Sequence, residues 1–111
     1  MDYSQLSDRD IDYRVLEEIY GNHAKDKDIV RAWLRGGFKY TTNPEDAWPI
    51  ISANRISIEY DAEERCDTPV EWVTAYGIDK LKVHVVPHQP CDKALRSAMI
   101  VFLMMQEHSN A

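Results

Sequence analysis

The stretch LRSAMIVFLMMQE, residues 95–107, decides how this chain folds. Leu95, Ala98, Met99, Ile100, Val101, Phe102, Leu103 and Met105 make a helix that is apolar nearly all round. A helix of that kind is buried on several sides rather than laid on a surface. Its unbroken apolar run, Ala98 to Met105, would span only about 12 Å, far short of a roughly 30 Å hydrocarbon core. The run is therefore read as the centre of a core and not as a membrane span. The helix is expected to begin near Cys91-Asp92 and to end near Glu107. Its methionines read as gap fillers among apolar neighbours rather than as an adaptable binding face.

Upstream of that helix the pattern changes from helical to alternating. Val70, Trp72, Thr74 and Tyr76 form one face of a strand, and Gly77-Ile78-Asp79 reads as a turn. Leu81, Val83 and Val85 then make the inner face of a second strand, with Lys80, Lys82 and His84 outward. Ile56-Ser57-Ile58-Glu59-Tyr60 alternates as an earlier strand, separated from the others by a polar acidic loop that lasts to Pro69. Strands so close in sequence pair most economically as an antiparallel meander.

The N-terminal half reads as helices. Ser7 caps a helix over about residues 8–20, with Ile11, Val15, Leu16 and Ile19 on one face and Gly21-Asn22 as its stop. Ile29, Val30, Trp33 and Leu34 suit a short amphipathic helix that Gly36-Gly37 breaks, after which Phe38–Thr41 looks extended. Asn43-Pro44-Glu45-Asp46 combines a cap, a first-turn proline and acids favoured by the helix dipole. That helix runs to about Asn54, and Pro49 inside it predicts a kink or a break. The sum is one α+β domain over residues 1–111. It has two layers, a three-stranded antiparallel sheet packed by two or three helices, with the C-terminal helix buried.

A chain of 111 residues suits a single core of ordinary size. Its net charge of −6 favours solubility and opposes nucleic acid and anionic membrane at long range. The charge is segregated. Acids dominate residues 1–20 and 59–67, while Lys25, Lys27, Arg31, Arg35 and Lys39 make the segment between them basic. Runs like these are ordinarily solvated faces. The polar, acidic N-terminus does not read as a secretory leader, and two cysteines, Cys66 and Cys91, are expected to be free thiols in a cytoplasmic protein.

Few residues offer chemistry. His84-x3-His88-x2-Cys91, with Cys66 as a distant fourth donor, is the metal-like spacing, but Pro87 and Pro90 stiffen the intervening loop. Cys91 at a helix N-terminus with His88 or His84 is the best candidate for a nucleophile pair, and it lacks an orienting third residue and an oxyanion hole. Asp61, Glu63 and Glu64 lack the spacing and glycine of a calcium loop, and Gly36-Gly37 is not a phosphate-binding loop. For nucleic acid, the stripe Lys80, Lys82 and His84 and the basic segment carrying Trp33 are the candidates, against an overall pI near 5.1. Neither a cofactor nor stoichiometric zinc is expected.

Two stretches carry a family resemblance: NPEDAWPII with NRISI (43–51 and 54–58), and LRSAMIVFLMMQE (95–107). With the opening MDYSQLSD, they resemble the NinX-like family of small lambdoid phage and prophage proteins. Segments 21–42 and 61–91 do not carry the resemblance. It implies a phage or prophage accessory protein acting in the bacterial cytoplasm, and it implies a fold rather than a catalytic residue. The expected function is therefore non-enzymatic: binding of a host or phage protein, with counter-defence as one form. The alternatives are a weak nucleic-acid binder and a small enzyme using His84, His88 and Cys91. Because partner specificity sits in variable surface segments, the expected contact residues are Arg31, Trp33 and Arg35 in the basic stretch and Glu63 and Glu64 in the acidic one. The second candidate surface is Lys80, Lys82 and His84.

Overall fold

In the computed structural model, which describes residues 1–65 and 67–110, the apolar stretch is helix α4, Ala94–Ser109, entered through a 3-10 turn at Cys91–Lys93. The other helices are α1 (Asp8–Tyr20), α2 (Lys27–Leu34) and α3 (Pro44–Ala53). Strands β1 (Ser57–Arg65), β2 (Thr68–Asp79) and β3 (Lys82–Gln89) form one antiparallel sheet in the order β1-β2-β3. Helix α4 lies across β2 and β3 and also packs against α1 and α3. Ala98, Met99, Ile100, Val101, Phe102, Leu103 and Met105 are all buried, together with Ile11, Val15 and Leu16 of α1 and Ala47, Ile50 and Ile51 of α3. The expected α+β sheet-and-helix layering, with α4 at its centre, is the observed one.

The local signals act where the residues predict. Ser7 Oγ accepts the N–H of Asp10 at 3.1 Å, and Asn43 Oδ1 accepts the N–H of Glu45 at 3.0 Å, so both helices start on a side-chain cap. Pro49 neither ends nor interrupts α3. The carbonyl that loses its helical donor belongs to Glu45, one turn back, which is exposed. Residues 38–41 are not extended: Phe38 is left-handed at φ 59°, and a turn follows it. Ile19, expected inside, is 43% exposed.

The sheet departs from the sequence reading in two ways. The acidic segment beyond Tyr60 is strand, not loop: β1 stays paired with β2 from Ser57↔Tyr76 to Arg65↔Thr68. Strand β3 reaches only Gln89↔Val73, so the far ends of β1 and β2 form a two-stranded arm beyond the core, exposed on both faces. The second departure is the hairpin turn. Gly77-Ile78-Asp79 continues β2, and the reversal is made by Lys80 and Leu81, both left-handed at φ 48° and 68°. Side chains alternate along a strand, so moving the turn exchanges the two faces of β3. His84 is buried, while Leu81, Val83 and Val85 are exposed. The inner face of β2 is Val73, Ala75 and Gly77.

Gly77 shows why that face was hard to see. A Cβ there would sit 2.7 Å from Met105 Sδ and 3.2 Å from Val101 Cγ1, so the missing side chain is what lets α4 lie directly on β2. Strand propensity favours valine over glycine at this position; packing opposes it. Gly77→Val is expected to cost about 1–3 kcal/mol by overpacking, measured by urea unfolding. Removing residues from Ala98 onward should abolish the cooperative thermal transition, and Phe102→Ala should cost about 3–5 kcal/mol. A truncated chain that still unfolds cooperatively would contradict this placement of the core.

Candidate functional site

Helix α4 covers one side of the sheet and α1 and α3 pack on α4, while among the described residues the apolar side chains of the other side stay exposed or half-buried. That bare face carries Val70, Trp72, Thr74, Tyr76 and Ile78 of β2, next to Val83 and Val85 of β3 through the pairs Ile78↔Val83 and Tyr76↔Val85. Ile78 is 62% exposed, Val83 53% and Val85 41%. The Trp72 ring packs on His88, with centroids 5.4 Å apart. On the β1 side the same face is bordered by Glu59, Asp61 and Glu63, opposite Thr74, Trp72 and Val70. An apolar strip with an acidic margin is therefore built by the parity of three strands, and it includes Val83 and Val85, which the alternation of the sequence places inside.

On the covered side, the end of the sheet holds a cluster of a different kind. Asp79 ends β2, His84 lies on β3 opposite Gly77, and His108 stands in the last turn of α4. One donor atom on each lies within 4.8 Å of the others. His108 Nδ1 is 3.0 Å from Asp79 Oδ2, the Ser109 hydroxyl donates to that same oxygen at 2.6 Å, and the rings of His84 and His108 are 5.2 Å apart. His84 Nε2 is buried without a partner. Burial, with His108 and Lys82 nearby, holds His84 below the usual imidazole range, while Ser109 and His108 hold Asp79 below the usual carboxylate range. Sequence reasoning found His84 and missed both companions. Asp79 was hidden inside a supposed turn, and His108 fell just past the expected helix end.

The remaining sequence candidates are dispersed. His84 faces α4 while His88 packs on Trp72, so the His84–His88–Cys91 constellation is not assembled; Cys66 lies outside the described residues. Cys91, half-buried and free, lines a shallow pocket with Tyr60, Asp61 and Glu71. The stripe Lys80, Lys82 and His84 does not exist as a surface, because Lys80 is in the turn and His84 is inside. Arg31 and Arg35 are exposed on α2 and at its C-cap. Trp33 is half-buried: the Arg9 guanidinium lies 3.3 Å over its ring, Tyr13 meets it edge-on, and Arg9 also donates to the carbonyls of Trp33 and Gly37. Its ring face is therefore occupied within the fold. Glu63 and Glu64 lie on the projecting arm, on opposite faces of β1.

A family model described as Bacteriophage P22, NinX matches residues 2–106. The chain belongs to the NinX family. The matched range spans segments 21–42 and 61–91, which carry no resemblance readable by eye. No curated protein and no solved structure matches the chain. No helix among the described residues is long and apolar enough to cross a membrane.

One further polar site bears on stability. Asp12 of α1 is buried, its Oδ1 accepting the Thr41 N–H at 2.8 Å, in a recess lined by Arg9, Lys39 and Thr42. The Thr41 hydroxyl is buried beside the same carboxyl and, among the described residues, has no partner in hydrogen-bond geometry. Burial raises Asp12 above its ordinary value, against the pull of the Thr41 N–H and Arg9. A carboxyl raised in the folded state weakens the fold once pH rises through its folded value, and makes no such difference below the unfolded value near 3.9. Asp12→Asn keeps the acceptor and removes the charge. Its melting temperature at pH 7 is expected to exceed the wild type's, with the gain fading as pH falls toward about 3.9. Asp12→Ala leaves the Thr41 N–H unmet and is expected to cost about 1–3 kcal/mol.

Proposed function

We propose that the protein is a non-enzymatic phage accessory factor that binds a host or phage protein through the bare face of its sheet. The observation that carries this reading is the strip Trp72, Tyr76, Ile78, Val83 and Val85, left uncovered while every helix packs elsewhere. Contiguous apolar surface rimmed by polar groups marks interaction sites in soluble proteins. The margin specifies the partner. Glu59 and Asp61 flank the strip and the whole chain carries −6, so the matching surface is an apolar patch bordered by lysines and arginines. The acids along the edge strand β1 also oppose a second copy pairing edge to edge. The same charge disfavours nucleic acid, whose phosphates would meet carboxylates at this surface. Counter-defence against a host nuclease complex is one setting such a factor would serve.

The test is site-specific photo-crosslinking in the bacterial host from Ile78 and Val83, with Arg31 as the comparison site, followed by titration of the identified partner. Ile78→Asp with Val83→Asp should weaken binding by about tenfold or more, a hot-spot effect, without lowering the melting temperature. Glu59→Lys with Asp61→Lys should slow association, most strongly at low salt. If reversal at Arg31 and Arg35 abolishes binding and the sheet variants do not, the contact surface lies on α2 and the reading is wrong. A homodimer formed through the strip, or nucleic acid as the crosslinked species, would overturn it equally.

A further inference from the structure

We propose that Asp79, His84 and His108 form a binding site for a divalent transition-metal ion, with zinc as the reference ligand. Three elements supply the donors: the end of β2, the middle of β3 and the last turn of α4. Two imidazoles and a carboxylate are the donor set that zinc and ferrous iron accept, leaving the remaining positions to water or substrate. One donor atom from each residue already lies within 4.8 Å of the other two.

The second observation is His84 itself. The residue is 5% exposed, and among the described residues Nε2 has no hydrogen-bond partner. A buried polar atom left unmet is unfavourable, and a cation between His84 and His108 would satisfy it. Ser109 donates to Asp79 Oδ2 and so orients that carboxylate. Access is in place too, since the side chains of Asp79 and His108 keep 19% and 29% of their exposure. The spacing of the sequence had pointed to His84, His88 and Cys91 and to an expectation of no metal. Tertiary structure replaces two of those three donors. The site lies on the α4 side of the sheet, so it stands or falls independently of the bare face. A bound ion would pin the end of α4 to the β2–β3 hairpin.

The experiment uses untagged, chelator-stripped full-length protein titrated with zinc by calorimetry and with cobalt(II) by its visible spectrum. One equivalent is expected to bind, raise the melting temperature and give the intense visible bands of a low-symmetry cobalt site. His108→Ala and Asp79→Asn change partly exposed side chains, so they should fold, and each should weaken zinc at least tenfold. His88→Ala with Cys91→Ser should leave zinc binding unchanged. Absence of a saturable one-to-one phase with folded wild-type protein would overturn the proposal. So would affinity that survives both His108→Ala and Asp79→Asn, or that disappears with His88 and Cys91.

Discussion

The approach of α4 to β2 at Gly77 is the constraint on which the rest of the molecule depends. With Met105 and Val101 lying where a Cβ would be, the helix sits close enough to the sheet to bury Val73 and Ala75 beneath it. Once α4 occupies that side, α1 and α3 complete the core by packing on α4. The opposite face of the sheet is then left without cover. Its apolar residues are therefore not misplaced core residues. They are a consequence of placing the helices together on one side of three strands whose outward positions are also apolar.

The ends of α4 are fixed by polar contacts. At the start, Arg96 donates to Asp8 at 2.8 Å and to the Leu6 carbonyl at 2.7 Å, joining the first turns of α1 and α4. Near the end, Glu107 accepts the Tyr3 hydroxyl at 2.8 Å and pairs with the N-terminal amine at 3.3 Å. Burial and this carboxylate push the Tyr3 phenol up to about 12, so it stays a donor across the physiological range. On the sheet side, His108 and Ser109 reach Asp79. Exposed pairs of this kind contribute little alone. Together they tie both ends of α4 to the elements around it.

Legibility in the sequence follows from how local each signal is. The caps at Ser7 and Asn43, the all-round apolar character of residues 95–107 and the alternation of the strands act within a few residues of themselves, and those elements stand where they were expected. The hairpin did not, because Lys80-Leu81 lacks the glycine or asparagine that ordinarily announces two left-handed residues, whereas Gly77 suggested a turn and is a packing glycine. One displaced turn then inverted β3, moving His84 inward and Val83 and Val85 outward. The acids of β1 concealed a strand because the arm is exposed on both faces and has no apolar side to show. The Asp79–His84–His108 cluster joins residues whose proximity depends on that turn and on the far end of α4, so no spacing rule along the chain points to it.

The two-sidedness of the sheet is the central claim, and the accessibility of consecutive positions on β3 tests it most directly. In a background with Cys66 and Cys91 replaced by serine, single cysteines would be placed at Val83, His84 and Val85 and their reaction with a thiol reagent followed in the native protein. The account predicts rapid labelling at 83 and 85 and protection at 84, released only by global unfolding. Rapid labelling at 84 with protection at 83 and 85 would reverse the faces of the strand and contradict it.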